Sequence, residues 1–77
     1  MLWRDVVTKS SDKARGYNNT GVAYSMGGRL EDATRMFKVA LQLIPDYIDA
    51  RNNLGNNYSK GGDIDRAREE YLIILRI

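Results

Sequence analysis

The sequence contains two eleven-residue segments that are nearly identical. The first, NNTGVAYSMGG, begins at Asn18, and the second, NNLGNNYSKGG, begins at Asn52. Seven of the eleven positions carry the same residue. A fixed period of this length, the step from Asn18 to Asn52, indicates a repeat architecture in which each copy is one supersecondary unit that stacks on the next. The repeat therefore constrains the fold of this 77-residue chain more than any other property.

The same register extends beyond the two segments. Ala33 aligns with Ala67, and Phe37 aligns with Tyr71, which keeps an aromatic residue at that position. Trp3 lies one repeat period before Phe37, so the register also continues toward the start of the chain. We therefore predict a single domain over residues 1–77, made of the end of a truncated repeat (1–13), a repeat (14–47) and a repeat that lacks its final turn (48–77).

Each copy predicts a pair of helices. Tyr17, Gly21 and Tyr24 recur at three- and four-residue spacing, which is typical of one face of a helix. A Gly-Gly pair follows, and glycine can adopt the positive φ that ends a helix. Pro45 ends the second helix, because proline lacks an N–H and its ring clashes with the preceding turn. We expect an all-α fold of about five helices, the first short and closed by Ser10-Ser11-Asp12: about 2–9, 14–26, 30–44, 47–60 and 64–77.

Two glycines lie inside predicted helices, where glycine lowers helix stability. Their presence therefore indicates that the packing needs a residue without a side chain. Gly21 and Gly55 are each about 1 kcal/mol less favourable than alanine in a helix interior. Ala33 and Ala67 stand twelve positions further along, in the following helix. We expect each glycine to face its alanine, so that the two antiparallel helices approach closely and the following tyrosine covers the gap.

Composition excludes several classes of function. The chain has no Cys and no His, which removes disulfides, the usual zinc ligands and the commonest general base. We therefore expect no enzyme, no catalytic residue, no metal site and no cofactor. The 12 basic and 10 acidic residues alternate without a basic cluster, which disfavours nucleic acid as a partner.

Hydropathy disfavours a membrane-inserted chain. No apolar run reaches the roughly 20 residues that a membrane-spanning helix needs, and the start of the chain is too polar for a secretion signal. We expect a soluble chain with no direct membrane insertion. Its compartment stays open: the cytoplasm is slightly favoured, and a soluble part of a membrane protein is the alternative.

The repeated residues resemble the tetratricopeptide repeat family. The family pattern is an aromatic residue, Leu-Gly and Tyr in the first helix, then Ala, an aromatic residue, Ala-Leu and a closing Pro in the second. The matching residues are Tyr17, Gly21, Tyr24, Gly28, Ala33, Phe37, Ala40, Leu41 and Pro45 in the first copy, and Leu54, Gly55, Tyr58, Gly62, Ala67, Tyr71 and Leu75 in the second. Thr20, Arg51 and Ile74 depart from the pattern without breaking its period. The resemblance implies a helix-turn-helix solenoid, a superhelix whose concave face is lined mainly by the first helix of each pair.

The resemblance also implies a non-catalytic scaffold that binds an extended peptide or a partner protein on its concave face. A side-chain amide both donates and accepts, so a ladder of asparagines suits a peptide backbone. In longer arrays of the family such asparagines hold peptides, and Asn19 and Asn53 match that position. Hydrogen bonds between repeats are the slightly favoured role for these two residues, and contact with a peptide is the alternative. We expect Asn18, Asn52 and Asn56 to face solvent. The candidate groove residues are Arg15, Asn18, Asn19, Val22, Asn52, Asn53, Asn56 and Lys60.

Two other interpretations of the chain stay open. The last residues, EEYLIILRI, crowd apolar side chains onto a helix that has no successor in this sequence, and an exposed apolar surface usually marks an interaction site. Leu72, Ile73 and Ile77 are therefore candidates for self-association into a homo-oligomer. The favoured explanation is that the chain is a piece of a longer array, whose next repeat would cover these residues. An arm of a larger enzyme or membrane protein is a further alternative.

Overall fold

The computed structural model describes the backbone of residues 2–77 and the side chains of residues 10–77. Across the described backbone it is all-helical, as the repeat predicts, with four helices and no strand. The helices are α1 (Leu2–Met26), α2 (Leu30–Leu43), α3 (Ile48–Lys60) and α4 (Ile64–Arg76).

The expected short first helix is wrong. The structure has one continuous 25-residue helix through Ser10, Ser11 and Asp12, so four helices replace the expected five. The repeat register explains the difference, because Ser11 stands one repeat period before Pro45. A serine keeps its N–H and does not clash with the preceding turn, so nothing at this position forces the helix to end. The expected packing of Trp3 lies outside the described side chains.

Each Gly-Gly pair ends its helix with the same turn. Gly28 has a φ of 81°, and Gly62, its counterpart in the second repeat, has a φ of 83°. Beyond the first turn, the Arg29 N–H donates to the Tyr24 carbonyl at 2.9 Å, and Asp63 donates to Tyr58 in the second turn at 2.9 Å. This six-residue closure satisfies a carbonyl at the helix end and needs a positive φ, which glycine adopts without strain. The turn therefore reverses the chain identically in both repeats.

The four helices form two stacked hairpins. Three-residue turns join α1 to α2 and α3 to α4, so each pair packs side by side, and α3 also packs against both α1 and α2. The core has two small clusters of buried side chains. They are Ala33, Phe37 and Leu54 in one cluster, and Ala14, Ala40 and Ala50 in the other. Because residues of α3 contribute to both clusters, stacking of the second hairpin on the first completes the core.

The glycines inside α1 and α3 lie against aromatic rings. A Cβ atom on Gly21 would lie 2.5 Å from the Phe37 ring, and one on Gly55 would lie 2.7 Å from the Tyr71 ring. The atoms nearest to each glycine therefore belong to an aromatic ring and not to Ala33 or Ala67, the residues expected to face the glycines. The aromatic residue one helical turn further along covers each glycine, because a flat ring fills the space that the missing side chain leaves.

Candidate peptide-binding groove

One face of α1 and one face of α3 combine to form an open groove. Residues four, seven and eleven positions apart share a helix face, which gives a stripe of Arg15, Asn19, Val22 and Met26 on α1 and a stripe of Asp49, Asn53, Asn56 and Lys60 on α3. The ends of these stripes enclose a pocket of about 230 Å³. Its lining residues are Val22, Ser25, Met26, Phe37, Asn53, Asn56 and Lys60. We call this pocket the inner groove.

Asn53 links the two repeats and keeps one acceptor for a ligand. Its Nδ2 donates to the Oδ1 of Asn18 at 3.0 Å, so the favoured role, a hydrogen bond between repeats, is present in the structure for Asn53. The Oδ1 of Asn53 takes no hydrogen bond from residues 10–77. Asn53 therefore joins the repeats through one N–H and keeps its oxygen as an acceptor and its second N–H as a donor at the inner groove.

The expectation that Asn18 faces solvent is wrong. Asn18 is only 7% exposed, because it lies on the side of α1 against which α3 packs. Asn52 stands at the same repeat position on α3 and is exposed, since no later helix covers that side within the described residues. The two asparagines therefore differ in burial because of their neighbours and not because of their own sequence context.

Asn56 presents its two N–H groups to the groove as hydrogen-bond donors. The Tyr71 hydroxyl donates to the Oδ1 of Asn56 at 2.5 Å. This bond occupies the oxygen and leaves the two N–H groups of the exposed Asn56 amide as donors. The first repeat has no such pair, because Val22 and Phe37 stand at the matching positions. Sequence patterns do not reveal this role of Tyr71, because it depends on a contact between two helices.

Lys60 forms the charged end of the inner groove. Its Nζ donates to the Oγ of Ser25 at 3.3 Å and so reaches from α3 across to α1. No carboxylate within residues 10–77 lies within 4.0 Å of this ammonium group. The positive charge therefore remains available to a bound molecule.

A family model described as tetratricopeptide repeat matches residues 26–76. The chain belongs to the tetratricopeptide repeat family. The resemblance seen in the sequence is confirmed by this match and by the helical hairpins of the structure. Domains of this family are typically non-catalytic modules that bind other proteins.

Two relatives carry a related sequence. The chain is 34% identical over 64 residues to the tetratricopeptide repeat domain-containing protein PYG7, chloroplastic, of Arabidopsis thaliana. The aligned region covers 83% of this chain and 21% of that relative. The chain is 33% identical over 61 residues to the uncharacterized protein ycf37 of Pyropia yezoensis. This aligned region covers 79% of this chain and 34% of that relative. The chain therefore spans about a fifth and a third of the length of these relatives.

The remaining residues predicted for the tetratricopeptide groove lie outside the pocket. Arg15, Asn19 and Asn52 are exposed, and none of them lines the inner groove. Arg15 and Asn19 continue the α1 stripe beyond it. Four of the eight predicted residues thus surround one pocket. Phe37, which the pattern identifies only as a core residue, forms part of the pocket wall although it is 1% exposed.

The last helix of the tetratricopeptide array exposes part of its apolar surface. Leu72 is 47% exposed and Ile77 is 54% exposed, whereas Ile73 is half-buried. Leu75, which was not among the predicted self-association residues, is 81% exposed. The exposed apolar side chains at the end of α4 are therefore Leu72, Leu75 and Ile77, which we call the α4 patch, and Ile73 is half-buried.

A larger opening lies between α2 and the second hairpin, and the buried Asn57 forms part of its wall. It measures about 450 Å³ and includes Thr34, Lys38, Asn57 and Arg66 in its lining. Asn57 is 2% exposed, and its Nδ2 donates to the Leu30 carbonyl at 2.8 Å and to the Oγ1 of Thr34 at 2.9 Å. These bonds tie α3 to α2 through the amino group of Asn57, whereas its buried Oδ1 takes no hydrogen bond from residues 10–77.

The described part of this tetratricopeptide domain holds no metal-binding group. Within those residues, no three acidic, Cys or His side chains lie close enough to share a metal ion. In the same part of the chain, none of the helices combines the length and hydropathy that crossing a bilayer requires.

Proposed function

We propose that this tetratricopeptide repeat domain binds an extended peptide segment of a partner protein in the inner groove. The observation that carries the proposal is a pair of neighbouring amides that together keep both acceptor and donor groups available. Asn53 offers its oxygen as an acceptor, because Asn18 engages one N–H of its amino group and leaves the oxygen unbonded. Asn56 offers donors, because its oxygen is engaged by Tyr71. An extended backbone presents both N–H and C=O groups, and this pair of amides matches them.

The walls of the groove support a peptide as the occupant. Val22, Met26 and Phe37 supply an apolar surface beside the two amides. The pocket volume of about 230 Å³ is below the ~300–1,000 Å³ that is usual for small-molecule sites. A pocket of this size accommodates one or two side chains of a peptide, while the backbone runs along the stripes of α1 and α3.

Removing the donor amide tests the proposal. Peptides are first selected on the whole chain from a displayed library of random ten-residue sequences. Asn56→Ala is then expected to weaken the selected peptide about 5- to 30-fold by calorimetric titration, because one or two hydrogen bonds contribute about 1–2 kcal/mol. Gln42→Ala, which removes an exposed amide from α2, is the matched control and leaves the affinity unchanged. Equal affinity for wild type and Asn56→Ala rejects the groove.

Self-association through α4 is the second candidate function. The exposed patch of Leu72, Leu75 and Ile77 supports it, because such a surface gains free energy when another surface covers it. The double variant Leu72→Lys and Leu75→Lys is expected to convert an oligomer to a monomer in sedimentation experiments while the helical spectrum stays unchanged. A wild-type monomer at millimolar concentration contradicts this candidate.

The short span of the chain relative to its relatives supports a third possibility. The matched relatives are three to five times longer than the aligned region, which covers 21% and 34% of them. The domain would then serve as the peptide-binding arm of a larger protein, and the α4 patch would pack against a following segment. This role agrees with the groove proposal, since both place the partner on the inner face.

A further inference from the structure

We propose that the inner groove selects an anionic partner: an extended peptide in which an acidic side chain lies within two residues of an apolar one. The acidic group binds Lys60, and the apolar group packs against Val22, Met26 and Phe37. This inference rests on the proposed function and adds the chemistry of the partner to it.

Lys60 lines the inner groove and forms no ion pair within residues 10–77. Five other basic residues form none either, but they lie outside the lining: Lys13, Arg15, Lys38, Arg68 and Arg76. Four arginines in residues 10–77 form ion pairs with carboxylates: Arg29, Arg35, Arg51 and Arg66. Lys60 contacts only the neutral Ser25 hydroxyl, at 3.3 Å. An ammonium group has three donors, so two remain after this bond. A carboxylate is the partner that satisfies them with a charge-assisted hydrogen bond.

The other charges on the α1 and α3 stripes do not neutralise the positive charge of Lys60. Asp49 lies on the same α3 stripe, but eleven positions away, which is about 17 Å along the helix axis. Arg15 stands at the matching repeat position on α1, so that end of the two stripes carries one charge of each sign. The acidic residue that follows Lys60 most closely, Asp63, has its carboxylate engaged by Arg66. The carbonyl end of α3 contributes a partial charge of about −0.5, which offsets only half of the ammonium charge.

The apolar wall of the groove next to Lys60 explains why the peptide needs an apolar side chain near its acidic one. Met26 is 79% exposed beside Val22, so an apolar surface is available to a ligand next to the ammonium group. Methionine is flexible and polarizable, and it adapts to different apolar side chains. Side chains two residues apart in an extended peptide point to the same face and lie about 7 Å from each other. An apolar residue and an acidic residue at that spacing can therefore contact both parts of the pocket.

Selection from a random peptide library tests the inference. Displayed ten-residue peptides are selected separately on wild type, Lys60→Glu and Lys38→Glu. We expect wild type to enrich an apolar residue with Asp or Glu within two positions, and Lys60→Glu to enrich Lys or Arg at the same place. Lys38→Glu makes the same charge change on α2, outside the inner groove, and leaves the wild-type preference intact. Circular dichroism of each variant verifies that it is folded.

A binding measurement gives the size of the effect. The strongest wild-type peptide is labelled with fluorescein and compared by fluorescence anisotropy with a version in which its acidic residue is replaced by the matching amide. We expect the amide version to bind about 3- to 10-fold more weakly to wild type, as for an exposed charge-assisted contact. Lys60→Met binds both peptides equally, because methionine stands at the matching position of the first repeat and carries no charge.

The outcomes separate the inference from the proposed function. If wild type enriches no peptide, the proposed function fails and the inference fails with it. If peptides are enriched without an acidic residue, or if the acidic preference persists in Lys60→Glu, the groove proposal stands and the anionic partner is rejected. Reversal of the charge preference by Lys60→Glu supports the inference.

Discussion

The two repeats have the same helix and turn geometry but differ in what holds each hairpin together. In the second repeat, Arg51 forms an ion pair with Glu70 at 2.9 Å and also donates to the Pro45 carbonyl at 3.0 Å. Tyr17 and Met36 stand at the two matching positions of the first repeat. The comparison teaches that the repeat unit accepts either an ion pair or two uncharged side chains at these two positions. The backbone period depends on the glycine turns and the aromatic–glycine contact, which both repeats keep.

The same difference runs along the inner groove, where an apolar wall faces a polar one. Three apolar residues of the first repeat correspond to three polar residues of the second. They are Val22, Met26 and Phe37 in the first repeat, and Asn56, Lys60 and Tyr71 in the second. Identical repeats would present two similar walls. The divergence between the copies therefore produces the mixed surface that the proposed peptide requires.

The largest expected difference between the repeats concerns their aromatic residues. Phe37 is 1% exposed, whereas Tyr71 is half-buried. Phe37→Ala is expected to lower the free energy of unfolding by about 3–5 kcal/mol, as for a buried aromatic side chain. Tyr71→Ala is expected to cost less than half as much, because less of the ring leaves an apolar environment. Urea denaturation followed by circular dichroism measures both values, and equal losses would show that the repeats share their core evenly.

The ion pair in the second repeat provides a sharper comparison. Glu70→Met leaves Arg51 partly buried without its carboxylate and is expected to cost about 2–3 kcal/mol. The double variant Arg51→Tyr and Glu70→Met installs the pair of residues found in the first repeat, and we expect it to recover most of that loss. Thermal denaturation of the single and double variants gives the comparison. A double variant as unstable as Glu70→Met would mean that the two hairpins are not interchangeable at this position.

The helix glycines give the next difference. An alanine at Gly21 would collide with the buried Phe37 ring, so Gly21→Ala is expected to destabilise the chain by about 1–3 kcal/mol despite its better helix propensity. Gly55→Ala meets the Tyr71 ring, which is half-buried and has room to shift, so we expect this variant to cost about 1 kcal/mol less than the first. Gly16→Ala is the control, because a Cβ there meets no atom within 4 Å, and it is expected to stabilise the chain slightly. Stabilisation by Gly21→Ala would contradict the aromatic contact.

Removal of one hydroxyl is expected to have the smallest effect and to act mainly on binding. Tyr71→Phe places the aromatic residue of the first repeat in the second and removes the hydrogen bond to Asn56. We expect a loss of stability below about 1 kcal/mol and a roughly 2- to 5-fold weaker affinity for selected peptides, because the amide is no longer oriented. Calorimetric titration measures the affinity, and no change would show that Asn56 does not need Tyr71.

Much of the fold can be predicted from the sequence, because single residues in each repeat determine where its helices end. The glycine pairs and Pro45 end helices through their own backbone chemistry, so the three turns between α1 and α4 follow from single residues. The continuity of α1 does not follow from the sequence pattern, because Ser10-Ser11-Asp12 resembles a helix end and yet lies within one helix. Ser11 in place of proline was the signal that could have indicated it.

The details of the groove were less predictable because they depend on how two helices approach each other. Helical spacing places Asn53, Asn56 and Lys60 on one stripe, and that part of the prediction follows from the period of about 3.6 residues per turn. The burial of Asn18 depends on which side of α1 meets α3, and the contact of Tyr71 with Asn56 crosses between helices. Neither relation is encoded in the spacing along one helix.

Side-chain amide signals in a nitrogen-15 NMR titration test the central claim most directly. The whole chain is titrated with the strongest selected peptide while the NH₂ signals of Asn53 and Asn56 are followed. We predict saturable shifts of these signals and of Val22 on α1, with little change at Leu72, Leu75 and Ile77. Shifts confined to the α4 patch, with the Asn53 and Asn56 signals unchanged, would contradict peptide binding in the inner groove.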